Sequence, residues 1–147
     1  MNTQENNVKE ELILMRITGE DRPGLTASIM SILAKFDAKI MDIGQADIHN
    51  TLSLGILIRV DEHVSGNVMK EVLFKSSELH VNVGFFPVSE EDYNAWVGRQ
   101  GKNRYILTLL GRRIHAKQIE AVAKIIVEQG LNIDAIKRLS GRPPLES

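Results

Sequence analysis

The clearest pattern in the chain is a strict alternation of aliphatic and other residues over Thr51–Val60. The aliphatic side chains at the alternate positions are Leu52, Leu54, Ile56, Ile58 and Val60. A period of two residues predicts a β-strand with one buried face. Three further strands are predicted from β-prone apolar runs, at Glu11–Thr18, Lys39–Ile48 and Val81–Val88.

Two segments have the spacing of amphipathic helices. The first is Leu25–Phe36, in which apolar residues recur at i, i+4, i+7, i+8 and i+11. The second begins with Ser65 as its predicted cap and runs to about Leu79. Its predicted buried stripe consists of Val68, Met69, Val72 and Leu73.

The predicted order of elements is β-α-β-β-α-β. Parallel strands need a crossover connection, and helical crossovers place both helices on the same face of the sheet. The sequence therefore predicts an α+β, ferredoxin-like fold with its helices on one face of an antiparallel sheet.

The pattern then starts again after Ser89–Asn103, a polar stretch that we interpret as a linker. Arg104–Leu110 is predicted as a strand, about Ala116–Gln129 as a helix, and Leu131–Leu139 as a second strand. Gly111 matches Gly19 at an offset of 92 residues, and the helix and following strand match at an offset of 93. This is an internal repeat, of which only the first half is present.

These elements predict four regions: a disordered lead-in at residues 1–10, a first domain at 11–88, a linker at 89–103, and the βαβ half of a second domain at 104–147. A half-domain leaves apolar faces and sheet edges uncovered. We therefore expect the chain to be part of a longer protein, to dimerise, or both.

Composition narrows the classes of function. The net charge of −1 provides no basic field for nucleic acid or an anionic membrane. There are no cysteines, no apolar run long enough to span a membrane and no secretory signal, which together suit a cytoplasmic protein.

Motifs for catalysis are missing from the sequence. The four histidines are scattered and lack the spacing of metal ligands. Gly19 and Gly24 are too few for a phosphate-binding glycine loop, and Ser140–Gly141 lacks the context of a nucleophile elbow. We expect no catalytic residue and no bound metal or cofactor in this chain.

The turn between the first strand and the first helix, Gly19–Thr26, is the strongest candidate site. Pro23 suits the first turn of a helix, and Gly24 allows the backbone to approach a ligand. Free amide groups at the helix start, beside the Asp21 carboxylate, would complement an amino acid zwitterion. Alternatively, Asp21 caps the helix.

The stretch Ile17–Ala27, with its Asp-x-Pro-Gly core, resembles the ACT domain family of βαββαβ amino-acid sensors. Leu52–Leu57, Ile106–Arg112 and Asn132–Ile136 are similar to the N-terminal regulatory region of bacterial phosphoserine phosphatases. The resemblance implies binding of an amino acid, L-serine above all, and regulation of an enzyme that hydrolyses O-phospho-L-serine to L-serine and phosphate.

In those enzymes a haloacid-dehalogenase-type domain uses magnesium and an aspartate nucleophile in a DxDxT motif. No such motif occurs in this sequence. The resemblance therefore implies that the catalytic domain and its magnesium lie outside this chain, beyond Ser147.

The resemblance also implies where a ligand binds, namely between the β1–α1 loop of one ACT unit and the start of the second strand of another. The implied ligand-binding residues are Asp21, Arg22, Pro23, Gly24, Leu25, Thr26, Lys39, Ile40, Gly111, Arg112, Arg113, Asn132 and Ile133. We predict that one site pairs Asp21 and Gly24 with Asn132.

The second loop departs from the family pattern. Gly111–Ala116 lacks Pro-Gly and is strongly basic, and Lys39 stands where an asparagine is expected. The second site is therefore expected to be degenerate or to prefer an acidic group. The alternative function is a purely structural module that forms a homodimer through sheet or helix contacts without binding a ligand.

Overall fold

The computed structural model describes residues 8–101 and 103–139. The chain divides into two compact units, Met1–Lys102 and Asn103–Ser147. Most of the predicted lead-in at residues 1–10 lies outside the described residues, and the first strand begins at Glu10.

The first unit contains a four-stranded sheet with helices packed on one face. Its elements are β1 (Glu10–Glu20), α1 (Leu25–Lys35), β2 (Lys39–Ile48), β3 (Thr51–Asp61), α2 (Glu62–Glu78), β4 (Asn82–Val88) and α3 (Glu90–Gln100). The strand order is β2-β3-β1-β4, and every neighbouring pair is antiparallel. The predicted ferredoxin-like α+β fold is confirmed.

The core lies between the sheet and helices α1 and α2. The inward residues of β1 pair with those of β3, with Met15 opposite Ile56 and Ile17 opposite Leu54. All five aliphatic residues of the alternating pattern in β3 are buried, as the period of two predicts. The helices add Leu25, Ile29, Leu33, Val68 and Val72.

Helix α2 begins earlier than the sequence pattern predicts. Its N-cap is Asp61, whose carboxylate accepts a hydrogen bond from the His63 backbone N–H at 2.8 Å. Ser65, predicted as the cap, lies inside the helix, is buried, and donates to the Glu62 carbonyl at 3.1 Å. The cap prediction was wrong because an aspartate at the end of β3 reaches the first free amides.

The buried stripe of α2 was also assigned partly wrongly. Val68 and Val72 are buried, but Leu73 is half exposed, and Ser76 is buried instead. Positions 68, 72 and 76 are separated by four residues each, so they lie on one side of the helix. Leu73 lies about 100° around the helix from Val72 and therefore leaves the core.

Most of the predicted linker at 89–103 forms helix α3. Ser89 caps it by accepting a hydrogen bond from the Asp92 N–H at 3.0 Å. The Arg59 guanidinium donates to the Glu90 carboxylate at 3.2 Å and stacks 5.4 Å from the Tyr93 ring centre. These contacts fasten the start of α3 to β3.

The second unit contains one helix among its described residues, α4 (Ala116–Glu128). The segments 104–110 and 131–139, predicted as strands, form no strand there. In the first unit the equivalent strands β1 and β2 are not neighbours, because β3 lies between them. Residues 103–139 contain no counterpart of β3, so these two segments have no strand to pair with.

The internal repeat is visible in the ends of α1 and α4. The Ala38 N–H donates to the Leu33 carbonyl at 3.0 Å, and the Leu131 N–H donates to the Ile126 carbonyl at 3.1 Å. Both are the 6→1 hydrogen bond of a Schellman motif, and donor and acceptor are each displaced by 93 residues. The offset read from the sequence therefore also describes the local structure.

Candidate functional site

Residues 21–24 connect β1 to α1 and are exposed to solvent. The Leu25 side chain, which immediately follows, is buried in the core. Of the predicted loop residues, Leu25 therefore anchors the helix and offers a ligand only its backbone. The four preceding residues form the accessible part of the candidate site.

The loop ends in a tight turn at Gly24. The Leu25 N–H donates to the Arg22 carbonyl at 3.2 Å, and Gly24 adopts a left-handed conformation with φ 86°. Gly24 is the N-cap of α1, and this helix has no side-chain cap. Asp21 therefore does not cap the helix, and the first-turn amides lack a side-chain acceptor.

Residues near the end of β2 surround the same loop. The Asp21 N–H donates to the Asn50 carbonyl at 2.8 Å, and the Thr26 hydroxyl donates to Gln45 Oε1 at 2.9 Å. Gln45, Asp47 and Asn50 were not among the predicted site residues. Their position follows from topology, because β1 and β2 run parallel, so the carboxyl ends of both strands lie at the same end of the sheet.

The carboxyl groups of Asp21 and Asp47 form a pair beside this loop. Partial desolvation raises the pKa of the Asp47 carboxyl above its ordinary value. The Asp21 carboxyl raises that pKa further through charge repulsion and a side-chain hydrogen bond. The two adjacent carboxyl groups can bind a cationic group, and the backbone amides of the nearby helix N-terminus can bind an anionic group.

The predicted strand-start residues lie at the far end of the same sheet. Lys39 is opposite Arg59, which is opposite Leu12, whereas the loop follows Glu20. The eight residue-to-residue steps from Leu12 to Glu20 span about 27 Å of extended strand. Loop and strand start therefore cannot meet within the first unit. Lys39 also forms an ion pair with Glu10 at 3.2 Å.

The predicted positions in the second unit are accessible. Gly111, Arg112 and Arg113 are exposed in the segment before α4, and Asn132 is exposed after it. Ile133 is partly buried. The pairing of Asp21 and Gly24 with Asn132 joins residues of different units and stays a prediction.

Residues 8–101 and 103–139 offer neither a metal site nor a membrane-spanning helix. No group of three or more histidine, aspartate or glutamate side chains is placed to hold a metal ion. In the same ranges, no helix is long and apolar enough to cross a membrane.

Phosphoserine phosphatases are similar to this chain over most of its length. Phosphoserine phosphatase SerB2 of Mycobacterium tuberculosis is 30% identical over 132 residues, which is 89% of this chain and 31% of the relative. Phosphoserine phosphatase of Streptomyces coelicolor is 28% identical with the same coverage. The chain thus spans about a third of the length of these relatives.

Comparison with solved structures agrees on the fold. An unknown protein from Galdieria sulphuraria superposes with a TM-score of 0.55 at 13% identity, covering 83% of this chain and 66% of that one. At this identity the likeness concerns the fold alone.

Family models assign both units. An ACT domain model matches residues 11–85, more than half of the chain, and a second ACT domain model matches residues 104–145. These matches agree with the βαββαβ topology of the first unit and with the exposed β1–α1 loop. The chain belongs to the ACT domain family.

Proposed function

We propose that this chain is an amino-acid-binding regulatory and oligomerisation module, with L-serine as its ligand, of an enzyme that hydrolyses O-phospho-L-serine. The observation that carries the proposal is the exposed Asp21–Gly24 loop, where an uncapped helix start lies beside paired carboxyl groups. The similarity to phosphoserine phosphatases supports the choice of parent enzyme.

The loop offers one partner for each charged group of an amino acid. Asp21 and Asp47 accept hydrogen bonds from the ligand ammonium group, and the first-turn amides after Gly24 donate to its carboxylate. The Gln45 side chain accepts from Thr26 through its oxygen, which leaves its amide N–H groups for the serine hydroxyl.

A neighbouring ACT unit closes the site. Strand β2 is an edge of the sheet, and Ile40 and Ile43 are exposed along it. Two β2 edges paired antiparallel would bring the start of one β2 to the end of the other, beside its loop. Lys39 and Ile40 are then the contributed residues, or Asn132 and Ile133 where the neighbour is a second repeat.

Catalysis belongs to another part of the parent enzyme in this proposal. The magnesium that the resemblance implies is assigned to that catalytic domain. Serine bound at the ACT interface changes the activity of the enzyme only if it binds its active and inactive states with different affinity.

Titration calorimetry of the 147-residue chain with L-serine tests the proposal. Binding should also raise the free energy of unfolding by about 2.7 kcal/mol at a ligand concentration 100 times Kd. Asp21→Asn should abolish the heat of binding, whereas Glu91→Gln, a matched change on the exposed side of α3, should preserve it. The absence of both a heat of binding and a thermal shift with L-serine would refute ligand binding.

A purely structural dimerisation module is the second candidate, and the exposed β2 edge favours it. An exposed sheet edge with aliphatic side chains tends to pair with another strand. Light scattering that shows a dimer, together with a calorimetric titration that shows no amino acid binding, would establish this function instead.

A further inference from the structure

The side of β1 that faces the helices changes from large residues to glycine where the candidate loop begins. Met15 and Ile17 occupy alternate positions on that side and are fully buried. The next position is Gly19, which lies opposite the buried Leu52 of β3 and therefore faces the helices as well. The large apolar side chains of β1 thus stop just before Asp21.

The side chain of Val81 fills the space in front of Gly19. A Cβ atom on residue 19 would lie 2.6 Å from Val81 Cγ1 and 3.0 Å from Val81 Cβ. Carbon atoms pack at about 3.5–4.0 Å, so residue 19 has no room for a side chain unless one partner moves. Gly19 does not have a positive φ. Tertiary packing, rather than a left-handed backbone, therefore requires glycine at this position.

Val81 is held from its own side by the end of α2. Its N–H donates to the Ser76 carbonyl at 2.9 Å, and the His80 N–H donates to the Ser77 carbonyl at 3.2 Å. The two bonds form a Schellman motif, with His80 in the left-handed conformation at φ 56°. Val81 is 7% exposed and belongs to the core. The position of Val81 is therefore fixed independently of the loop.

The loop is the softer partner in this contact. All residues between Gly19 and Leu25 are exposed, whereas Leu25 is buried in the core. Between these two ends, the Asp21 N–H donates to the Asn50 carbonyl at 2.8 Å. A shift of Gly19 away from Val81 would consequently carry Asp21 with it and leave the core in place.

We propose that Val81 is a positioning residue of the candidate ligand site. Through its contact with Gly19 it sets the place from which the Asp21 carboxylate and the first-turn amides of α1 meet an amino acid. A site binds more tightly when its groups are held in the binding geometry before the ligand arrives. This inference rests on the proposed function for its effect on affinity, while its effect on the loop is measurable without a ligand.

Val81→Ala and Val68→Ala form a matched pair. Both truncate a buried valine of the same core, so both should lower the free energy of unfolding. Only Val81→Ala removes the support of Gly19. It should speed hydrogen exchange of the Asp21 amide and weaken the affinity for L-serine, each by about 5-fold. Val68→Ala should leave both quantities near the values of the parent chain.

Gly19→Ala crowds the same contact instead of emptying it. Because Val81 is anchored by α2, the added methyl group should displace the loop and weaken the affinity for L-serine about 10-fold. The double variant Gly19→Ala/Val81→Ala removes the closest contact, with Cγ1, and should bind L-serine more tightly than Gly19→Ala alone. Gly66→Ala is the control, since a Cβ atom there meets no atom within 4 Å, and it should preserve the affinity.

The outcomes separate the role of Val81 from the proposed function. Equal affinity and equal Asp21 exchange in Val81→Ala and Val68→Ala would overturn the positioning role, as would a double variant that binds no better than Gly19→Ala. Should Gly19→Ala fail to fold, the two valine variants decide alone. If the parent chain binds no L-serine, yet Val81→Ala alone speeds Asp21 exchange, the ligand proposal is refuted and the support of the loop by Val81 is retained.

Discussion

Asp37 and Gly130 adopt the same left-handed backbone conformation, with φ 53° and φ 72°, at positions 93 residues apart. Each is the second residue after the last residue of its helix, α1 or α4. Glycine takes this conformation without steric cost, whereas a side chain with a Cβ atom does not. Both repeats thus end a helix with a left-handed residue, and the glycine of the second repeat fits that conformation better than the aspartate of the first.

The left-handed position at the end of α1 can be improved. Asp37→Gly removes the Cβ atom from a residue with positive φ and should raise the free energy of unfolding by about 0.5–1 kcal/mol. Asp37→Ala retains the Cβ atom and loses the polar side chain, so it should lower stability by a similar amount. Urea denaturation of both variants measures the difference, and equal midpoints would contradict the argument.

The centre of the first unit should be intolerant of truncation. Met15→Ala opens a cavity between β1 and the helices, and should lower the free energy of unfolding by about 2–5 kcal/mol. Leu73→Ala is the control, because that side chain is half exposed and should cost less than about 1 kcal/mol. Chemical denaturation compares the two variants, and equal losses in the free energy of unfolding would contradict the assignment of Met15 to the core.

The attachment of α3 should depend on Arg59. Arg59→Ala removes both the ion pair with Glu90 and the contact with the Tyr93 ring, which together contribute about 1 kcal/mol. Amide hydrogen exchange in Glu90–Gln100 should become faster, while exchange in β3 stays nearly unchanged. Lys70→Ala, which removes a side chain resting on the Phe74 ring of α2, is the control and should leave exchange in α3 as it was.

The pair of carboxyl groups at the loop should make stability depend on pH. Because folding raises the pKa of Asp47 above 3.8, the folded chain holds this proton more tightly than the unfolded chain. This contribution to the free energy of unfolding is complete at pH values below the ordinary pKa of an aspartate and is lost as pH rises through the raised pKa of Asp47. Asp47→Asn should therefore have a higher Tm than the parent at neutral pH, with the difference vanishing in acid. A constant difference at every pH would contradict this.

Protonation of the same group should also weaken ligand binding. An ammonium group binds an ionised carboxylate, so a proton on Asp47 competes with it. The affinity for L-serine should fall as pH is lowered through the raised pKa of Asp47, and calorimetry at a series of pH values measures this. In Asp47→Asn the affinity should be lower at neutral pH and should lose that part of its pH dependence.

Much of the secondary structure of the first unit was predictable because the residues that periodicity places on one face are also those that the fold covers. The alternation in Thr51–Asp61 and the helical spacing in Leu25–Lys35 each place their apolar residues on one face, and the structure buries most of them. Element boundaries were less predictable, as Asp61 and Ser65 show. Two polar residues close together can both serve as a helix cap, and only the path of the chain leaving β3 selects between them.

The candidate site was predictable only in the part that is continuous in sequence. Asp21 and Gly24 lie in one recognisable turn, so their closeness in space follows from their closeness in sequence. Gln45, Asp47 and Asn50 reach the same loop because β3 pairs with both β1 and β2, which brings Asn50 to Asp21, 29 positions away in sequence. No spacing within the chain marks such residues as members of a site.

The sequence by itself determined the repeat, helices α1, α2 and α4 and the strands of the first unit, because these depend on side-chain period and backbone preference within a few residues. Tertiary structure decided which of the β-prone segments become strands. A strand exists only when a neighbour accepts its backbone hydrogen bonds. Glu10–Glu20 lies between β3 and β4 and is a strand, whereas 104–110 has the same pattern but no neighbouring strand among residues 103–139.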